Sequence, residues 1–192
     1  MRVLSERQPA VAVAALAFVV LNNVVASTLV LAAYGFDVGA LGANLGSLPV
    51  RGPAAANLLR GGGLIDMVGY LALAPVVLYL GGRLRVAAEL PRRRGLVDIL
   101  TFSGLGFALV GSIGAVLLAS QGPALLQAST VGPAEAAAAR VSFAALASGV
   151  YVGLWGTLEQ LLLGIWLMGS RGSCGPRGGA SPGLGLSSEL AP

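Results

Sequence analysis

The chain has 192 residues, 56% of them hydrophobic and 10% charged, with a mean hydropathy of +0.84 and a formal net charge of +4. A soluble domain carries about 25% charged residues. So few charges exclude an ordinary soluble domain and a disordered chain, and point to a lipid environment.

His and Lys are both absent, and Cys174 is the one cysteine. Without His there is no Ser-His-Asp or Cys-His nucleophile system, and the commonest metal ligand is missing. Without Lys there is no Schiff-base chemistry and no Walker-type phosphate loop. A single Cys permits neither an intrachain disulfide nor a thiolate metal cluster. It reads as an ordinary tail thiol, with a lipidation or redox site as the alternative. No catalytic residue, cofactor or metal is expected, and the chain reads as non-enzymatic. The Arg residues cluster beside apolar runs, so the expected partners are the bilayer and its anionic headgroups, not nucleic acid.

A helix crosses a hydrocarbon core of about 30 Å with about 20 apolar residues. The first apolar run is uncharged from Gln8 to Phe36 and predicts a helix over about 9–35. Arg2, Arg7 and the small-residue stretch Val24-Val25-Ala26 would also fit a cleaved signal peptide. A signal's apolar region is about 7–15 residues, shorter than this run, so a retained helix is expected. The stretch Asp37 to Gly63 reads as a loop punctuated by Gly and Pro. Within it, Pro53 predicts a short helix through Arg60 whose apolar side, Ala54, Ala55, Leu58 and Leu59, lies on the membrane surface.

The second run, Leu64 to Gly82, predicts a helix over about 63–82, with Asp66 near its start. Pro75 should kink it by freeing the Leu71 carbonyl. Arg92, Arg93 and Arg94 follow Pro91. They read as a topology anchor and, more sharply, as a patch for anionic lipid headgroups or an acidic partner, each Arg contributing about 1 kcal/mol near the surface. The third run, Ile99 to Ser120, predicts a helix over about 98–120, opened by Asp98 as a helix-start acid. Gly132-Pro133-Ala134-Glu135 opens the fourth helix. That helix would run 133–169, about 55 Å at 1.5 Å per residue. The Gly-, Ser- and Pro-rich tail over 170–192 is expected to be disordered.

The expected fold is therefore all-α: a polytopic transmembrane bundle of four spanning helices over 1–169. With both termini in the cytoplasm, nine Arg lie inside and three outside. The positive-inside rule then gives an N-in/C-in orientation. Helices associate in lipid through small residues. Ala145, Gly149, Gly153 and Thr157 form one such ridge. Gly104, Ala108 and Ser112, with Gly111, Ala115 and Ala119 nearby, form another. Such ridges serve packing within the chain or, alternatively, a homo-oligomer or another membrane-protein partner. Tyr34, Tyr79 and Trp166 are expected as interfacial anchors.

Glu159 lies about 18 Å before Arg171 along the helix, near mid-membrane. An ionised carboxylate there is expensive, so it should be neutral or hydrogen-bonded unless water reaches it. Asn22 and Asn23 sit at similar depth and are its natural partners, together with Gln160. Asp66 and Tyr70 lie one turn apart toward the outer side. In one reading, Glu159 bonds to an Asn amide and joins the first and fourth helices of a structural or accessory protein. In the other, Glu159, Gln160, Asn22 and Asn23 line a polar cavity in a small-solute or proton-coupled transporter.

Two stretches carry a resemblance. One runs Asn57-Leu58-Leu59-Arg60-Gly61-Gly62-Gly63-Leu64-Ile65-Asp66-Met67 and leads to Tyr79-Leu80-Gly81-Gly82-Arg83-Leu84-Arg85. The other is Leu154-Trp155-Gly156-Thr157-Leu158-Glu159 followed by Gly164-Ile165-Trp166-Leu167-Met168-Gly169. Over roughly residues 10–170 the chain resembles an uncharacterised family of bacterial multi-pass membrane proteins, a domain of unknown function. The resemblance implies an all-helical inner-membrane bundle and no catalytic residues. It also implies further helices after Gly169, where this chain turns into Gly172-Ser173-Cys174-Gly175-Pro176-Arg177. A truncated or frameshifted C-terminus is the corresponding expectation.

Overall fold

In hydrocarbon every backbone N–H and C=O must find its partner within the protein, which favours uninterrupted helices. The structure, a computed structural model, describes residues 2–36, 52–88 and 91–173, with side chains over 9–36, 54–88 and 91–169. Helix α1 spans Arg2–Ala33, α2 Gly52–Ala87, α3 Pro91–Ala128 and α4 Pro133–Ala147. A π-helical segment, π1, continues directly over Ser148–Glu159, and α5 completes the same rod over Gln160–Ser173. Among the described residues there is no strand, and four helical stretches are long and apolar enough to cross a membrane: Pro9–Ala33, Ala54–Ala87, Pro91–Ala128 and Pro133–Gly169. The all-α, four-span architecture is the expected one. Residues 37–51, Cys174 and the tail beyond it, and the side chains of Arg2, Arg7 and Arg171, lie outside the described residues.

The helices extend beyond the apolar runs. Proline stands in the first turn of α2, α3 and α4, where its missing N–H leaves no hydrogen bond unmade. Pro53 therefore opens α2 itself, not a separate surface helix. Ala55, Ala56 and Leu59 are buried against Tyr34 and Leu126, so that apolar side faces the bundle. Tyr34 is thereby a core residue, not an interfacial anchor. Gly61, Gly62 and Gly63, expected in a loop, are helical, and Gly62 and Gly63 bring α2 close to the backbones of its neighbours. A methyl group added at Gly62 would lie 3.2 Å from the Ala26 carbonyl oxygen of α1. One added at Gly63 would lie 2.8 Å from the Ala115 carbonyl oxygen of α3. Small residues let helix backbones approach this closely.

The remaining ends follow local rules. α1 stops in a Schellman motif: Gly35 takes φ +66°, its N–H donates to the Ala32 carbonyl (3.0 Å), and the Phe36 N–H donates to the Leu31 carbonyl (2.9 Å). α2 continues through Pro75 and α3 through the buried Pro123. Because α3 starts at Pro91, Asp98 stands two turns inside it and is not a helix-start acid. Its carboxylate instead pairs with Arg85 at 3.4 Å, with both side chains exposed.

α2 packs between α1 and α3, and α3 packs between α2 and the α4–π1–α5 rod. α3 is the most enclosed: half of its apolar stretch is buried, against about a fifth for the others. Its small residues Gly104, Ala108, Gly111, Ser112, Ala115 and Ala119 are all buried. The other ridge behaves differently. Ala145, Gly149, Gly153 and Thr157 are exposed, and among the described residues nothing lies within 4 Å of a methyl group placed at Gly149 or Gly153. That ridge faces away from the bundle formed by the described residues.

Candidate functional site

The π segment decides where Glu159 points. Val150 (1% exposed) and Glu159 (5% exposed) are its two buried residues. They are nine positions apart, which is about two and a half turns of an α-helix and would put them on opposite faces. The wider winding of i→i+5 bonding brings nine residues close to two full turns and one common face. The Thr157 hydroxyl follows the same spacing, donating to the Val152 carbonyl five residues back at 2.8 Å. The carboxyl is thus turned inward by backbone winding that the α-periodic reading of the fourth helix did not contain.

Three glycines hollow out the space it enters. An added methyl group at Gly111 would collide with the Tyr70 ring, one at Gly114 with the Trp155 indole, and one at Gly69 with the Asn22 amide. Tyr70, seated over α3, donates its hydroxyl hydrogen to Glu159 Oε1 at 2.9 Å. Glu159 Oε2 is buried and has no hydrogen-bond partner among the described residues. The Trp155 indole N–H donates to the Gly111 carbonyl at 3.3 Å. Tyr70 packs edge-on against Phe107 (5.8 Å) and tilted against Trp155 (6.4 Å), while Tyr151 meets Trp155 edge-on at 5.1 Å. These four rings fix the walls of the site.

The predicted cluster is partly assembled. Asn22, Asn23 and Glu159 border one cavity of about 390 Å³, which Asp66 and Tyr70 also line. The bond expected between Glu159 and an Asn is not made: the Asn22 amide donates instead to the Ile65 carbonyl of α2 at 2.6 Å. The Glu159 partner is Tyr70, because Tyr70 projects across the gap that Gly111 leaves. Gln160 is exposed and lines neither this cavity nor its neighbour. A second cavity of about 460 Å³ adjoins the first through Asn23, Asp66 and Tyr70 and is also lined by Tyr151 and Trp155. Asp66 and Tyr70 stand outside the polar cluster expected from the sequence, and Tyr151 has no part in it. The available signal was the pair of i,i+4 spacings, Asp66–Tyr70 on α2 and Tyr151–Trp155 on π1, each of which places two polar or aromatic groups on one face.

At the far end, Arg92 and Arg93 are exposed and border a shallow hollow with Leu96 and Ile99. Arg94 donates through Nε to the Ala88 carbonyl at 3.2 Å, tying the first turn of α3 to the residue that follows α2.

No protein-family model matches the chain, and no curated protein or solved structure is significantly similar to it. The functional reading rests on the geometry of the site.

Proposed function

We propose that this chain is a non-enzymatic, multi-pass protein of the bacterial inner membrane that carries a small solute in step with a proton. Glu159 is its proton site, and Asn22 and Asn23 border the path. One observation carries the reading. A carboxyl group buried at mid-bundle has one oxygen bonded to Tyr70 and the other unpartnered, and it borders a cavity shared with Asp66. An ionisable group in the membrane interior is costly to keep, and in such proteins it commonly marks an ion or proton path. A purely structural role would be better served by a dry contact with both oxygens bonded. The Arg distribution supports an N-in/C-in orientation, with Arg92 and Arg93 at the cytoplasmic headgroups.

The test is carboxyl infrared absorption against pH in lipid-reconstituted protein, compared with Glu159→Gln. The expected result is a protonated-carboxyl band that disappears as pH is raised and is missing from the variant. A band that persists at every pH, together with unchanged proton flux in Glu159→Gln vesicles, would overturn the proposal.

A further inference from the structure

The larger cavity has a distinct chemistry. Asp66 shares its wall with the rings of Tyr70, Tyr151 and Trp155. Its other polar lining residues, Asn23 and Ser27, are neutral, and no Arg is among the described residues around it. The rest of the wall is aliphatic side chains and glycine from α1, α2 and α3. Asp66 is partly buried, where a carboxyl group either takes up a proton or pairs with a cation, and this wall supplies no cation of its own. Aromatic faces attract cations within about 6 Å of the ring centre, most strongly where water is excluded. An inorganic cation such as calcium would require about six to eight converging oxygen ligands, which this mostly apolar wall does not offer. The volume of about 460 Å³ falls within the range of about 300–1,000 Å³ typical of small organic ligands. The adjoining cavity adds a second acid whose buried Oε2 is unpartnered among the described residues.

We propose that the cavity between α1, α2, α3 and π1 binds a monovalent organic ammonium ion. Its charged head sits between Asp66 and the rings of Tyr70, Tyr151 and Trp155, and its apolar substituents lie against α1 and α3. This names the substrate class of the carrier reading and rests on it.

The experiment uses the full chain in lipid nanodiscs carrying Trp166→Phe, so that Trp155 is the single indole of the two in the sequence. Benzyltrimethylammonium is titrated against neopentylbenzene, its uncharged isostere, each corrected for protein-free nanodiscs. The expected result is a saturable change in Trp155 emission with the ammonium only. Binding should be at least tenfold weaker in Asp66→Asn and in Tyr151→Leu, and nearly unchanged in Tyr151→Phe, which keeps the ring. Equilibrium dialysis with the unmodified chain repeats the comparison without the Trp substitution. Undiminished ammonium binding in Asp66→Asn would overturn the assignment, and equal binding of the two probes would overturn it and make the cavity an acyl-chain site. The two readings fail separately. A carboxyl band unresponsive to pH with unchanged proton flux in Glu159→Gln vesicles, beside intact ammonium binding, removes proton coupling and keeps the substrate class. A responsive band without ammonium binding removes the substrate class alone.

Discussion

A carboxylate has about four lone-pair positions to satisfy, and among the described residues Glu159 receives one hydrogen bond, from the Tyr70 hydroxyl. Removing that donor leaves a buried acid with no partner among the described residues, at a cost of about 1–3 kcal/mol. Tyr70→Phe, which keeps the ring and its contact with Phe107, is therefore expected to lower the thermal unfolding midpoint in detergent. It should also shift the Glu159 carboxyl band to the frequency of a free acid. An unshifted band would mean that the hydroxyl bond is not made. At this scale the sequence revealed much of the site. Glu159, Asn22 and Asn23 stood out because polar residues are rare in a run of this hydropathy. Their pairing was not legible, because the partner depends on Gly111 leaving space for Tyr70. A glycine in an apolar helix looks the same whether it admits a backbone or a ring.

Among the elements, two glycines in α2 make opposite predictions. Gly63 faces the backbone of α3, so Gly63→Ala has no flexible neighbour to displace and should destabilise by about 1–3 kcal/mol. Gly82 has open space where its methyl group would go, so Gly82→Ala should unfold at or slightly above the parent temperature. Comparing the two unfolding midpoints checks both. The π segment makes a third prediction. In a Cys174→Ser background, single cysteines at 150 and 159 should resist a lipid-soluble maleimide while those at 157 and 158 react, because Thr157 and Leu158 are exposed. An α-helical continuation would instead protect 154 and then 157 or 158. Helix existence was legible from apolar length and from the prolines of the first turns. The winding was not, since i→i+5 bonding carries no residue signature in the run itself.

For the whole molecule, the decisive quantity is the distribution of Arg. In the proposed orientation, a cysteine replacing Arg140 in the Cys174→Ser background should react with a membrane-impermeant maleimide added to intact cells. One replacing Arg93 should react only after permeabilisation. The reverse pattern would invert the topology. Four spanning helices could be counted from the sequence because a bilayer imposes one length on each. Which faces meet could not be counted in the same way. Lipid and protein interior are equally apolar, so the contrast that marks a buried face in a soluble helix is missing. The outward ridge of Ala145, Gly149, Gly153 and Thr157 shows this: its spacing matches that of the buried α3 ridge, yet it faces the other way.

The winding of π1 makes the number of residues between Val150 and Glu159 matter as much as their identity. Each residue of an α-helix turns the chain by about 100°. A segment whose function depends on accumulated rotation is therefore sensitive to insertions and deletions even where its side chains are replaceable. Gly153 is such a position, with none of the described residues close to where its methyl group would go. Exchanging it for alanine should pass unnoticed, whereas deleting it would swing the acid away from Tyr70. Length variation should therefore be tolerated less within this stretch than between α3 and α4.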